Sequence, residues 1–376
     1  MTKVTFLLSK DPVTEEGGDV ALSRLVMRLA ADAFDVSAIC LSGQRGDATL
    51  WPDGPALTRV PKPAIKPARL LADALRRRRS LVHVRFDTTE LLGEIERRDT
   101  DVFVAEHSYM AETVLRSSRR ESTGCVVNTH NSESLVWLAN RGALGRVEAP
   151  RLVRDELRVA RTADAVGCYD AQEAQMYRDK GVANAQFMAV TLPPSTPIDI
   201  SSTPRRMVFF GRRDWPPNQE AFLNALRLWP RIADGIAGAE LCIVGAKKPG
   251  AADPPYPDGV RELGFVDDLG QFLSGCRALM APVLTGGGVR VKILDAASQG
   301  LPVVGTPVAV GSLDTVLGLP TFDDDDAFIA QCRRFLLDRD IAVNAGKQLF
   351  EINSEHWRRR GPHQSVEALL LAGVRP

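Results

Sequence analysis

The sequence predicts an α/β protein of two successive domains, each a parallel sheet flanked by helices. Three observations carry the prediction. Short apolar, β-branched runs alternate with longer stretches of helical periodicity along nearly the whole chain. That alternation lapses once, in the Pro/Ser/Thr-rich stretch TLPPSTPIDISSTPRR (Thr191 to Arg206), and then restarts. The chain's 376 residues also exceed what a single core usually holds.

The first run, VTFLLS (Val4 to Ser9), leads through a loop containing Gly17 and Gly18. A helical pattern follows, with Leu22, Leu25, Val26 and Leu29 on one face. VSAICL, DVFVAE, CVVNTH and AVGCY read as further strands separated by helices, so the first domain is expected over residues 1–192. Residues 193–206 read as a linker. In the second domain, expected over 207–356, MVFFG, ELCIVG, VRELGF, ALMAP and PVVGT are short enough to be strands buried on both faces. Helical patterns separate them, for example Phe222, Leu226 and Trp229, then Phe328, Cys332, Phe335 and Leu336.

Composition narrows the function classes. Hydrophobic content of 44% and charged content of 25% are those of a globular protein, not a disordered or fibrous one. Lys+Arg and Asp+Glu both number 47, so the basic excess of a nucleic-acid binder is missing and no nucleic-acid partner is expected. The six cysteines are scattered without a CxxC or Cys/His cluster and read as reduced, buried thiols. The opening MTKVTFLLSKD goes straight into a strand-like run without a signal peptide's apolar core. No apolar stretch approaches the roughly 20 residues of a membrane span. A cytoplasmic protein is expected.

The most informative segment is APVLTGGGVRVKILDAASQG, Ala281 to Gly300. A strand ends near Pro282, three glycines follow, and a helix begins around Val289 to Val291 and stops at Gly300. Gly286, Gly287 and Gly288 let the backbone approach a ligand, and the N–H groups of the helix start point to the same place. An anion there gains hydrogen bonds and the favourable end of the helix dipole, and Arg290 and Lys292 add full charges. The string matches neither a Walker A motif nor a GxGxxG fingerprint. A purely structural strand-to-helix turn is the competing reading. A second constellation, MVFFGRRDWPPNQEAF, puts Arg212 and Arg213 at the carboxyl end of a strand, where open α/β sheets bind ligands, and makes Asn218 a candidate cap for the next helix.

The pieces GRRDWPPNQEAF, CIVGAKKP, LGFVDDL and APVLTGGGVRVKILDAASQGLPVVGTP cover most of residues 207–310. In this order and spacing they resemble the large retaining glycosyltransferase family 4, whose fold is GT-B: two Rossmann-like α/β/α domains with parallel sheets facing across a deep cleft. The N-terminal half is similar more loosely, through the EEGGD loop, TDVFVAEHSYMAETVL, VVNTHNSES and TADAVGCYDAQEAQMY. The stretch SEHWRRRGPHQSVEALLL resembles the helix, here about residues 357–376, that packs back on the first domain in such enzymes.

The resemblance implies roles residue by residue. The second domain would hold a UDP- or GDP-sugar as substrate, with no further cofactor and no metal, and the first domain a glycan, lipid-linked or small-molecule acceptor. Gly286, Gly287, Gly288, Val289 and Arg212 would bind the donor, Arg290 and Lys292 would act on its diphosphate, and Asp295 would bind the ribose hydroxyls. Family members often carry two glutamates with seven residues between them. Here the second is the shorter Asp295, and the first is replaced by Gly287. Arg212 matches the family's arginine after the first strand, whereas Asn218 stands where its lysine would be. In the first domain, Gly17 and Gly18 resemble the loop facing the donor phosphate, and His107 resembles a catalytic histidine. His130, in THN at the next strand end, is the alternative on the acceptor side. A nucleotide-sugar epimerase and a catalytically silent sugar-nucleotide-binding protein are rival functions.

Two charged runs complete the reading. FDDDDAF, with Asp323 to Asp326, precedes an amphipathic helix, where acidic residues satisfy free N–H groups, so no metal is expected there. The segment 67–80, PARLLADALRRRRS, has Leu70, Leu71, Ala74 and Leu75 on one side and four arginines at its end. With RSSRR (Arg116 to Arg120) it suggests peripheral contact with the inner face of a membrane.

Overall fold

The computed structural model describes residues 1–130, 132–247, 250 and 252–375. The quoted runs THN and GAKKP extend onto Asn131, Lys248 and Pro249, which lie outside the described residues. The chain forms two compact units, Met1–Val190 with Pro362–Pro376, and Thr191–Gly361.

In the first unit the β-branched runs pair into one eight-stranded sheet. Its strands are β1 (Lys3–Leu8), β2 (Asp35–Ser42), β3 (Ala48–Thr49), β4 (Ala56–Pro61), β5 (Val102–Glu106), β6 (Gly124–Thr129), β7 (Ala165–Cys168) and β8 (Ala185–Phe187). The order is β3-β4-β2-β1-β5-β6-β7-β8, parallel throughout except for the short edge strand β3. Buried residues fill both faces of β5 and β6, as expected for strands under helices on either side. The order reverses at β1 and β5, whose registers pair Val4 with Val102 and Leu7 with Ala105.

The second unit carries a five-stranded parallel sheet of β9 (Arg206–Phe210), β10 (Glu240–Val244), β11 (Val260–Gly264), β12 (Ala278–Ala281) and β13 (Val303–Gly305). The order is β11-β10-β9-β12-β13, with the reversal between β9 and β12. In an open parallel sheet the connections leaving such a pair go to opposite faces, so the carboxyl ends of the two strands stay uncovered.

The stretch read as a linker lies along the second unit. Ser195 N–H donates to Ser298 O at 2.8 Å and Ile198 N–H to Gln299 O at 2.9 Å. Ser298 Oγ donates to Pro193 O at 2.6 Å, and Ile200 enters the core. Its Pro/Ser/Thr composition limits it to one 3-10 turn, Ile200–Ser202, yet several of its backbone groups are paired. The helix Arg339–Arg358 stays with the second unit, whereas Val366, Leu369 and Leu370 of Gly361–Ala372 are buried in the first. Gly124 and Gly167 make room for this last segment: a Cβ on Gly124 would lie 1.8 Å from Gly373 O, and one on Gly167 2.6 Å from a Leu369 methyl.

All six cysteines are free thiols in buried positions. Among the described residues no helix is long and apolar enough to cross a membrane. Asp324 caps the helix Asp325–Leu337 by accepting from Ala327 N–H, while Asp325 pairs with Arg227 at 2.5 Å and Asp326 with Arg231 at 2.6 Å.

The second core is anchored by Trp229, which is fully buried and donates its indole N–H to Asp258 O at 2.9 Å. Trp229→Ala should lower stability by about 3–5 kcal/mol, the usual range for deleting a buried large aromatic. A shift of the urea unfolding midpoint with an unchanged slope is the expected readout.

Candidate functional site

At the second unit's reversal, the loops after β9 and β12 meet. Gly211 follows β9 with φ 149°, and a Cβ there would lie 2.7 Å from Lys292 Cε and 3.0 Å from Asn218 Nδ2. Gly245 follows β10 with φ 121°, and a Cβ there would lie 2.3 Å from Gly211 O. Both positions therefore require glycine, and the close approach brings the β9 loop against the helix Val291–Gln299.

Asn218 joins the two candidate segments. Its Oδ1 accepts from Lys292 Nζ at 2.6 Å, and its Nδ2 donates to Arg212 O at 2.8 Å. It is not the helix cap expected above. The helix Pro216–Ala233 starts at Pro216, whose fixed φ suits a first helical position, so Asn218 falls inside the first turn. Lys292 also lies 5.3 Å from the centre of the Phe209 ring, and burial pulls its ammonium down to about 8. One helical turn on, burial pushes the Asp295 carboxyl up to about 7.

Arg290 stands at the start of this helix and donates to Gly288 O, and no side chain caps the helix there. Gly286 and Gly287 are exposed, while Val289 packs its side chain against the core and so anchors the turn. A Cβ on Gly287 would meet nothing within 4 Å, so space does not exclude a side chain at the position where the resemblance implies a carboxylate. The two arginines after β9 separate in role. Arg212 is exposed and pairs with Asp214 at 2.6 Å. Arg213 is buried, pairs with Asp253 at 2.9 Å and with Glu262, and lies 4.2 Å from the centre of the Phe222 ring, so its charge is engaged inside the fold.

The first unit assembles a second constellation at its own reversal. Gly17 and Gly18 follow β1 and open the helix Gly18–Ala31, while His107 follows β5. A pocket beside them is lined by Ser9, Lys10, Asp19, Ser23, Glu106 and His107. Burial works against ionisation of Asp19, but Lys10, with Nζ 2.6 Å from Oδ2, holds its carboxyl below the ordinary range. His107 adopts φ 96°, a left-handed backbone that costs a non-glycine residue about 1–3 kcal/mol and clusters at functional sites. Its ring lies parallel to Tyr109 at 5.1 Å, and burial pushes it down to about 3, so it is neutral at ordinary pH. The nearest carboxylate, Glu133 Oε1, is 3.6 Å from Nδ1 and is itself pushed up to about 8 by burial and by Glu156.

His130 has a different setting. It is fully buried, pairs through Nε2 with Glu106, and lies 3.4 Å from Ser23 Oγ. Glu106 also accepts from Asn128 at 3.0 Å and from Ser23 at 2.8 Å, and these partners hold its carboxyl low against the effect of burial. Lys10, Asp19 and Glu106 escaped sequence reasoning. The signal that could have found Asp19 is its place directly after the glycine pair.

The shifts of Asp295 and Lys292 carry opposite signs in stability. Between pH about 4 and 7 the folded protein holds the Asp295 proton that the unfolded chain has released, so its contribution falls as pH rises. From about 8 to 10.5 the folded protein releases the Lys292 proton that the unfolded chain keeps, so its contribution rises. Asp295→Asn should flatten the stability curve over the first window and Lys292→Met over the second, as read from urea midpoints across pH. Parent-like curves for both variants would refute this assignment.

Comparison with known proteins gives this arrangement a family context. Residues 204–338 match the family model described as glycosyl transferases group 1. No curated protein sequence matches the chain. Among solved structures, sucrose-phosphate synthase from Thermosynechococcus elongatus is 15% identical with a TM-score of 0.72, covering 99% of this chain and 98% of that one. Anabaena Alr3699/HepE in complex with UDP-glucose is 14% identical with a TM-score of 0.66, covering 99% of this chain and 100% of that one. Trehalose-6-phosphate from E. coli bound with UDP-2-fluoro glucose is 9% identical with a TM-score of 0.65, covering 97% and 98%. The stretch from β9 to the end of the helix Asp325–Leu337 is thus a glycosyl transferases group 1 domain, carried by a chain with the two-domain α/β fold of GT-B glycosyltransferases.

Proposed function

We propose that this protein is a retaining hexosyltransferase that moves a sugar from a UDP- or GDP-sugar to a hydroxyl acceptor. The observation that carries the proposal is the convergence of Arg290, Lys292 and Asp295 with the glycine turn and Arg212 at the β9/β12 reversal. All of these lie within the segment that matches the family model. The UDP-glucose held by the HepE neighbour supports UDP as the nucleoside diphosphate.

The chemistry follows from charge. As the bond from the anomeric carbon to the β-phosphate oxygen breaks, negative charge grows on the departing diphosphate. Fixed cations and an uncapped helix start then bind the transition state more tightly than the ground state. Lys292, whose burial disfavours its charge, gains most from a dianion beside it. Asp295 would accept from the ribose hydroxyls. In the first unit, Gly17, Gly18 and the neutral His107 would form that unit's own ligand-binding group, with His130 beside them orienting Glu106. No enzymic carboxylate pair of the hydrolase kind is required if the departing phosphate takes the acceptor proton.

The proposal includes a metal-independent reaction and a cytoplasmic location with peripheral membrane contact through residues 67–80. Leu71 and Leu75 of the helix Pro67–Arg77 are 50% and 56% exposed, which supports that contact. The arginines support it less: Arg76, Arg77, Arg79, Arg116 and Arg120 all lie against carboxylates of the first unit.

Arg290→Ala and Lys292→Ala should each cut kcat/KM by roughly 10² or more, mostly in kcat, since one such donor is worth about 2.7–4 kcal/mol. Asp295→Ala should instead raise KM and the Kd of the bare nucleoside. Near-native turnover in both cation variants would reduce the turn to a structural role. Donor consumption that needs no acceptor would favour the epimerase. Turnover should also survive EDTA, and loss in EDTA with recovery on magnesium or manganese would sink the metal-free mechanism.

A further inference from the structure

Outside both constellations the first unit holds a cavity of about 450 Å³, within the range of about 300–1,000 Å³ typical of small-molecule sites. It lies where β4 ends at Pro61 and is walled by residues 62–66, the helix Pro67–Arg77, the helix Leu81–Phe86 and the start of the helix Thr89–Arg97. It therefore occupies the sheet edge that also carries the glycine loop. Lys62 Nζ, on its wall, is 3.1 Å from Glu15 Oε1 of that loop.

The charges on its walls are not balanced. Lys62, Lys66, Arg69, Arg77 and Arg85 face three carboxylates, Asp73, Asp87 and Glu90. Lys62 is matched by Glu15, Arg69 by Asp73 at 3.8 Å and Arg77 by Asp87 at 2.7 Å. Asp73 and Asp87 are further occupied by Arg76 and Arg116 from outside the cavity wall. Among the described residues, Lys66 and Arg85 have no carboxylate partner. Arg85 is the sharper case: its Nε is buried and makes no hydrogen bond among the described residues. Its guanidinium carbon sits 5.0 Å from the centre of the Phe86 ring, which holds the group in place. A buried donor without a partner is costly, and a guanidinium presents a fork that fits an oxyanion.

We infer that this cavity is an anion subsite holding a phosphate group through Arg85 and Lys66. Its identification with the acceptor rests on the transferase reading above and adds to it that the acceptor carries a phosphate. That phosphate belongs either to a soluble sugar phosphate or to a lipid headgroup, the latter suited by Leu71 and Leu75 on the same helix.

The test uses the full chain and three probes: glucose 6-phosphate, vesicles of phosphatidylglycerol in phosphatidylcholine at physiological salt, and UDP. Titration calorimetry and co-sedimentation are run on the parent, Arg85→Gln and Lys66→Met. At least one phosphate probe should bind the parent, and each variant should weaken that binding about tenfold or more. UDP affinity should stay within about twofold, which also reports correct folding. Binding of glucose 6-phosphate identifies a soluble ligand, and binding of anionic vesicles alone identifies a headgroup. If neither probe binds the parent, or if binding ignores both substitutions, the subsite is refuted. Failure of UDP to bind a protein whose cavity still takes phosphate would instead refute the transferase reading and leave the subsite standing.

Discussion

The second unit is organised by one constraint, the reversal of strand order between β9 and β12. Parallel strands need crossover helices, and helices leaving to opposite faces cannot roof the carboxyl ends of the pair between them. The loops that follow β9 and β12 consequently meet at the carboxyl edge of the second unit's sheet. The Asn218 carboxamide then couples them, accepting from Lys292 with one end and donating to the Arg212 carbonyl with the other. The glycines at 211 and 245 are needed because this coupling draws three loops into van der Waals contact.

Within that frame, burial sorts charges that look alike in the sequence. Arg212 and Arg213 are neighbours, yet Arg213 is fixed against Asp253, Glu262 and Phe222 while Arg212 stays at the surface with Asp214. Lys292 and Asp295 share one face of a helix and are both held away from their ordinary ionisation by burial. Such groups respond strongly to any ligand that brings an opposite charge or a hydrogen-bond partner beside them. The first unit repeats the logic with different residues. His107 is neutral and strained beside Lys10 and Asp19, and the His130–Glu106 pair fixes the floor beneath it.

Much of the fold was legible in the sequence because a doubly wound sheet writes itself in apolar runs. Every strand read from a run such as VTFLLS, DVFVAE or MVFFG forms one, and the helix after the triple glycine runs Val291–Gln299 with Gly300 as its C-cap. The edge hairpin of β3 and β4 was not legible, since half-buried edge strands lack a continuous apolar run. Nor was the behaviour of residues 193–206, whose composition marks irregular backbone without saying which partners satisfy it.

What the sequence determined by itself was local: where strands and helices run, and which turn concentrates glycine with Arg290 and Lys292. What only the tertiary structure decided was long-range: that Asn218 lies inside a helix and holds Lys292, that Arg213 is structural, and that the Asp324 to Asp326 carboxylates serve a cap and two ion pairs. It also decided that Arg85 and Lys66 line one cavity without carboxylate partners among the described residues. The physical reason is that periodicity reports which face of an element is buried, whereas the partner of a charge is set by chain crossings tens of residues apart.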